Sequence, residues 1–186
     1  MKLVLWRHPR AEGASGRCIG RTDLRVDPRR AKRLAHRVRS AARREGWPAV
    51  IHTSDLQRSA AVGRWLRCWG WTHRIDPRLS ELDFGRWDGR AWQDIPHEEV
   101  AAWEADFARH APGGAESLEG LLARVRSFIA DCAVAPTVLA ITHGGVMQAL
   151  AWQATQPWQA APPHGTRVEV NVPLGQAAPA ARGGAL

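Results

Sequence analysis

Leu5-Trp6-Arg7-His8-Pro9, within the first ten residues, and Ile141-Thr142-His143-Gly144-Gly145, far down the chain, are two short apolar runs that each lead into a histidine. Each reads as a buried strand, and a strand delivers its last side chains to the rim of a sheet, where open α/β proteins bind ligands. Two such strands side by side bring His8 and His143 together. Between them lie Thr53-Ser54-Asp55-Leu56-Gln57-Arg58-Ser59, a strand-to-helix turn with Arg58 on the first helical turn, and the turn-rich Leu79-Ser80-Glu81-Leu82-Asp83-Phe84-Gly85-Arg86-Trp87-Asp88-Gly89. Two His, two Arg and one Glu can supply a nucleophile, cationic ligands for a phosphate and a proton donor.

Outward from these strands the chain alternates. Lys2 to Trp6 predicts a central strand, and Asp27-Pro28 supplies an N-cap and first-turn proline for a helix to about Glu45. A strand over Ala49–Thr53, a helix from about Asp55 to Trp69 and a strand within Thr72–Leu79 follow. Strand-helix-strand alternation implies parallel pairing with helices on both faces. The expected class is therefore α/β, a three-layer αβα fold with a mostly parallel central sheet. From Ser80 to about Ser117 the alternation breaks, and a short capped helix over Trp92–Trp103 suggests a lid-like insertion at 80–117. A helix over Glu116–Cys132, a strand over Thr137–Thr142, a helix from Gly145 to about Thr155 and an edge strand over Arg167–Val172 complete one domain of residues 1–175. The Ala/Gly/Pro-rich residues 176–186 read as a disordered tail.

The four motifs, in this order, resemble the histidine phosphatase (phosphoglycerate mutase-like) superfamily over roughly residues 2–172. That resemblance implies a phosphomonoester hydrolase working through phosphohistidine. His8 is then the nucleophile, because a neutral imidazole keeps a lone pair near pH 7. Arg7 and Arg58 hold the transferring group with guanidinium forks. His143 donates to the phosphate, and Gly144 opens a helix whose free N–H groups favour an anion. Glu81, matched by position, protonates the leaving oxygen, since an alkoxide leaves poorly and the like charge of a bound phosphate favours a protonated carboxyl. The resemblance also places Cys18, Gly20, Arg21 and Thr22 in a loop that contacts substrate. Asp88 reads as turn chemistry beside Gly89, and Glu116 as either a helix-start acid or a support for the site. Trp87, Trp92 and Trp103 are candidates for lining a pocket for a flat ring.

The Gly16–Asp23 loop, the Phe84–Pro96 run and the short lid are most similar to the α-ribazole phosphatases of cobalamin nucleotide-loop assembly. Pro9 stands where the superfamily has Gly, and Arg10-Ala11 where Glu-Thr often follows. A phosphoglycerate mutase or a broad-specificity phosphatase of the same fold is the alternative.

The 186 residues suit one domain, and the formal charge of +8 is nearly all arginine, with Lys2 and Lys32 the two lysines. Arg29, Arg30, Arg33, Arg37, Arg43 and Arg44 crowd the first helix, whose Leu34, Val38, Ala41 and Ala42 form an apolar stripe, so the charge reads as a solvated face. An Arg-rich nucleic-acid-binding or non-catalytic module is the alternative of another class. The expected partner is a small phosphorylated metabolite, not nucleic acid or membrane. No apolar run approaches the roughly 18 residues of a membrane span, and no signal-peptide pattern precedes Arg7, so a cytoplasmic location is expected. The eight histidines show no metal-ligand spacing and the three cysteines are far apart, so neither metal nor cofactor is expected.

Overall fold

A computed structural model describes residues 1–152 and 160–173. Its five strands are β1 (Lys2–Arg7), β2 (Val50–Thr53), β3 (Thr72–Ile75), β4 (Thr137–Thr142) and β5 (Arg167–Asn171), and its α-helices are α1 (Pro28–Glu45), α2 (Gln57–Cys68), α3 (His97–Ala105), α4 (Leu118–Asp131) and α5 (Gly144–Ala151). The sheet order is β3-β2-β4-β1-β5. All neighbours are parallel except β5, which runs antiparallel to β1 at the edge.

Successive side chains of a strand point to opposite faces, and β1 shows how that builds two cores. Val4 and Trp6 pack with α1 and α2, while Leu3 and Leu5 pack with α4 and α5. Both faces of the sheet are thus covered by helices, the condition under which parallel strands are nearly continuous apolar runs. The result is the three-layer αβα class expected from the alternation.

Helix α1 starts where the sequence signals place it. The Asp27 carboxylate accepts the N–H of Arg29 and Pro28 occupies the first turn. Gly46 closes the helix in the left-handed region at φ 66°. Ala31, Leu34, Ala35, Val38, Ala41 and Ala42 are buried, whereas Arg29, Arg30, Arg33, Arg43 and Arg44 are exposed. The basic residues of α1 therefore form the solvated side of an amphipathic helix.

The lid segment departs from the expectation. In place of one capped helix over Trp92–Trp103 there is a 3₁₀ turn at Trp92–Asp94 and then α3, with no side-chain cap. Pro96 is the reason: the residue before a proline is driven out of the helical region, and Ile95 sits at φ −87°, ψ 126°. α5 ends at Ala151, where Trp152 turns extended. The rest of the helix expected to reach Thr155 and the tail expected at 176–186 lie outside the described residues. Among the described residues, no helix is long and apolar enough to cross a membrane.

Candidate active site

The pairing of β1 with β4 runs in register to Arg7↔Thr142, so both strands end in the same row. The next residues, His8 and His143, emerge together, with the His8 N–H donated to the Thr142 carbonyl at 2.9 Å. Their ring centroids are 4.8 Å apart, and both side chains are buried.

His8 Nδ1 lies 2.6 Å from the Pro9 carbonyl oxygen. A carbonyl only accepts, so Nδ1 carries the proton and Nε2 keeps its lone pair. Burial lowers the His8 pKa well below 6.5, and the cations Arg58 and Arg7 add to the effect. The imidazole is thereby held neutral, with a defined tautomer. His143 is also kept neutral, by burial first and then by His8 and Arg58. Its Nε2 lies 2.7 Å from Ser54 Oγ, and its Nδ1 is buried without a partner. If the Ser54 hydroxyl donates to Nε2, Nδ1–H becomes a donor for an incoming anion.

Arg58, on the first turn of α2, is fully buried, and its hydrogen bonds go to neutral groups: Nη1 to the Thr22 carbonyl at 2.8 Å and Nη2 to the Gly20 carbonyl at 2.6 Å. Those carbonyls are fixed by Asp88, whose carboxylate accepts the N–H groups of Gly20, Arg21 and Thr22 at 2.9, 2.7 and 2.7 Å. Three converging N–H donors make a strong main-chain clamp for a carboxylate. α2 is itself tied to β4 by Ser59 Oγ, which donates to the Ile141 carbonyl at 2.8 Å. Arg7 Nη1 donates to the Pro162 carbonyl at 2.6 Å, and Arg7 Nε is buried without a partner. Two guanidiniums bonded to neutral carbonyls keep their positive field, which suits a dianion.

Glu81 completes the group. Its Oε1 accepts the Gly145 N–H at 3.0 Å and the N–H of Leu82 at 3.1 Å, so it sits at the N-terminus of α5. Gly145 permits this approach, because a Cβ there would collide with Oε1.

Arg7, His8, Arg58, Glu81 and Gly144 line one cavity of about 320 Å3, and buried His143 lies behind it against His8. The opposite wall is apolar, with Phe84, Trp92, Trp103 and Phe107 from the lid segment and Leu118 and Leu121 from α4. The polar end can hold a phosphoryl group against His8 Nε2 while the apolar end takes the group esterified to it.

Six residues are placed otherwise than expected. Cys18 does not reach the cavity: it is buried against Trp87 and Ile95, and burial pushes its thiol up to about 12. Gly20 and Arg21 also lie off the cavity wall, because their main chain serves Asp88 and Arg58; Arg17 and Ile19 of the same loop line the wall in their place. Thr22 likewise spends its carbonyl on Arg58. Asp88 is more than a turn residue, since it orders this loop. Trp87 is fully buried, its indole N–H donated to Glu99 at 2.6 Å, so Trp92 and Trp103 alone of the three candidate rings line the cavity.

Sequence reading missed Ser54 and His164. Ser54 follows β2 and had a signal in its place at a strand end. His164 had none: it arrives through the β1–β5 pairing, with Nδ1 donating to the His8 carbonyl at 3.1 Å and its ring 5.2 Å from that of His8. Among the described residues, no three His, Cys, Asp or Glu gather in a group able to hold a metal ion.

Known proteins resemble this chain in sequence and in fold. The chain is 28% identical to a metal-independent phosphoserine phosphatase of Arabidopsis thaliana, over 83% of this chain and 69% of that protein. It is 33% identical over 85 residues to the adenosylcobalamin/α-ribazole phosphatase of Salmonella typhimurium, a match that covers 41% of each chain. The crystal structure of TTHB049 from Thermus thermophilus superposes with a TM-score of 0.71 at 28% identity, over 93% of this chain and 95% of that one. The profile of the histidine phosphatase superfamily (branch 1) matches residues 3–171, and the chain belongs to that family.

Proposed function

We propose that this chain hydrolyses phosphomonoesters by passing the phosphoryl group through Nε2 of His8, and that the alcohol it releases is flat and largely apolar, with α-ribazole 5′-phosphate as the leading candidate substrate. The observation that carries the reading is the bond from His8 Nδ1 to the Pro9 carbonyl, which leaves Nε2 unprotonated beside the buried guanidinium of Arg58 and the half-buried one of Arg7.

In the first step the Nε2 lone pair attacks phosphorus, the P–O ester bond breaks, and the leaving oxygen takes a proton from Glu81. Arg7, Arg58 and His143 hold the oxygens of the transferring group, where charge spreads in the transition state. In the second step Glu81, now a carboxylate, takes a proton from water as that water attacks phosphorus, the P–N bond breaks, and His8 recovers its lone pair. Each role falls on a side chain of this chain, and no step calls for a metal or a cofactor.

The substrate part of the proposal rests on the apolar wall. Trp92 and Trp103 line the cavity with Phe84 and Phe107, and rings of this kind favour a flat aromatic group such as a benzimidazole. The partial match to an α-ribazole phosphatase supports the same reading. A second reading has its own observation: Arg17 lies on the cavity wall and suits an ester that carries a carboxylate, such as phosphoserine or a phosphoglycerate.

A substrate panel separates the two. kcat/KM for α-ribazole 5′-phosphate is expected to exceed that for phosphoserine and 3-phosphoglycerate by about tenfold or more, equivalent to about 1.4 kcal/mol. A preference of that size for a carboxylate-bearing ester would replace the α-ribazole assignment with the Arg17 reading. The acid role is tested by Glu81→Gln, which should slow alkyl phosphates by about 10²-fold or more and aryl phosphates far less, because only a poor leaving group needs a strong proton donor. Equal slowing of both would move the proton donor to another group.

The neutral imidazoles also set a pH dependence of stability. Burial first, with Arg58, holds the His8 pKa below 6.5, and burial with His8 does the same for His143. As pH falls through 6.5 the unfolded chain takes up protons that the folded chain refuses, so their contribution to stability is complete above that value and is lost below it. His52, His73 and His164 are lowered as well, again by burial first, and their titrations are common to the wild type and to His8→Asn, so the melting temperature of the wild type should fall between about pH 7 and pH 5.5 by more than that of the variant, which has lost the His8 titration. Equal falls in the two proteins would contradict the neutral-imidazole assignment.

A further inference from the structure

Arg124 on α4 does not line the cavity, yet every N–H of its guanidinium is engaged around Glu81. Nε donates to Glu116 Oε1 at 2.6 Å, and Nη2 donates to Glu116 Oε2 and to the Glu81 carbonyl, each at 2.9 Å. Nη1 donates to the carbonyls of Arg78 at 2.8 Å and Ser80 at 2.7 Å. Glu116 grips the same segment further along: its Oε2 accepts the Asp83 N–H at 3.1 Å, and its own N–H donates to the Asp83 carbonyl at 3.1 Å. Burial works against the Glu116 charge, and the Arg124 fork overrides it, holding the carboxyl below its ordinary range.

The segment so held has little regular structure of its own. After the 3₁₀ turn at Pro77–Leu79 it leaves in an extended conformation at Ser80 and belongs to none of the five strands. The sheet reaches it through the Leu79 carbonyl, which accepts from Thr142 Oγ1 at 2.8 Å. Thr142 on β4 and the Arg124–Glu116 pair therefore both anchor the main chain that carries Glu81. A proton donor works only within hydrogen-bond reach of the leaving oxygen, and a displacement of about 1 Å can cost about 10²-fold in rate.

We propose that Arg124 and Glu116 are positioning residues for Glu81: their bidentate pair sets the main chain at 78–83 so that the Glu81 carboxyl reaches the leaving oxygen, and neither touches substrate. This rests on the reading of Glu81 as the proton donor. The planar fork is essential to the role, since a lysine would keep the positive charge near the site but could not span three carbonyls and two carboxylate oxygens.

The test compares Arg124→Lys, Glu116→Gln, Glu81→Gln and the double variant Arg124→Lys/Glu81→Gln on p-nitrophenyl phosphate and on a simple alkyl phosphate, with melting curves for each. For folded Arg124→Lys and Glu116→Gln, KM for both esters should change less than about threefold, because Arg7, Arg58 and His143 are untouched, while kcat for the alkyl ester falls about tenfold or more and kcat for the aryl ester far less. The double variant should show the same alkyl-to-aryl ratio as Glu81→Gln alone, since both changes disable one proton transfer. An unchanged ratio in the folded single variants, with a changed ratio in Glu81→Gln, overturns the inference and leaves the proton donor standing. An unchanged ratio in Glu81→Gln overturns both. If Arg124→Lys does not fold, Glu116→Gln decides, because it keeps the side chain's shape and its acceptor for Asp83; failure of both to fold would assign the pair to stability alone and overturn the inference.

Discussion

The parallel pairing of β1 with β4 is the constraint on which the site depends. Matching Arg7 with Thr142 ends the two strands in one row, so that His8 and His143 leave the sheet as neighbours without any loop having to find the other. A slip of one residue would send Val4 and Trp6 to the face of α4 and α5, exchanging the two cores, so the same apolar pattern that buries β1 also fixes the distance between the histidines.

Around that pair, among the described residues, neither Arg7 nor Arg58 donates a hydrogen bond to a carboxylate, although Glu81 acts on both cations and Asp23, Asp88 and Asp55 act on Arg58 through space. Arg7 and Arg58 donate to the carbonyls of Pro162, Thr22 and Gly20, which accept their N–H groups and leave their charge in place. The nearby carboxylates are engaged elsewhere: Asp88 by three N–H groups of the loop, Glu81 by the start of α5, and Glu116 by Arg124. A buried cation bonded to neutral groups is costly, and a bound phosphate relieves that cost. Burial first, and then the same field, keeps His8 and His143 neutral.

Much of this was legible in the sequence because it is local. The boundaries of α1 and β4, the two histidines at strand ends and Arg58 on the first turn of α2 follow from caps, periodicity and strand termini. What escaped is what long-range packing decides. His164 reaches His8 only because β5 folds back on β1, and no residue near it announces that. Cys18, Gly20 and Arg21 belong to the right loop, but which of its side chains face the cavity depends on where Asp88 grips it, a contact across 66 to 68 positions. Arg124 lies on an ordinary amphipathic helix, and its five donors meet partners between 8 and 46 positions away. Pro96 carried a local signal, and it explains why the lid helix starts at His97 and not at Trp92.

The central claim is that His8 forms the covalent bond to phosphorus through Nε2, the nitrogen that its bond to the Pro9 carbonyl leaves unprotonated. The direct measurement is rapid alkaline quenching of the enzyme during turnover of a phosphomonoester, followed by identification of the phosphorylated residue by mass spectrometry and of the phosphorylated nitrogen by phosphorus–proton NMR of the denatured protein. The account predicts an acid-labile phosphoenzyme carrying phosphate on Nε2 of His8 and absent from His8→Ala. Phosphate on Nδ1 or on another residue, or turnover with no phosphoenzyme at any time, would contradict it.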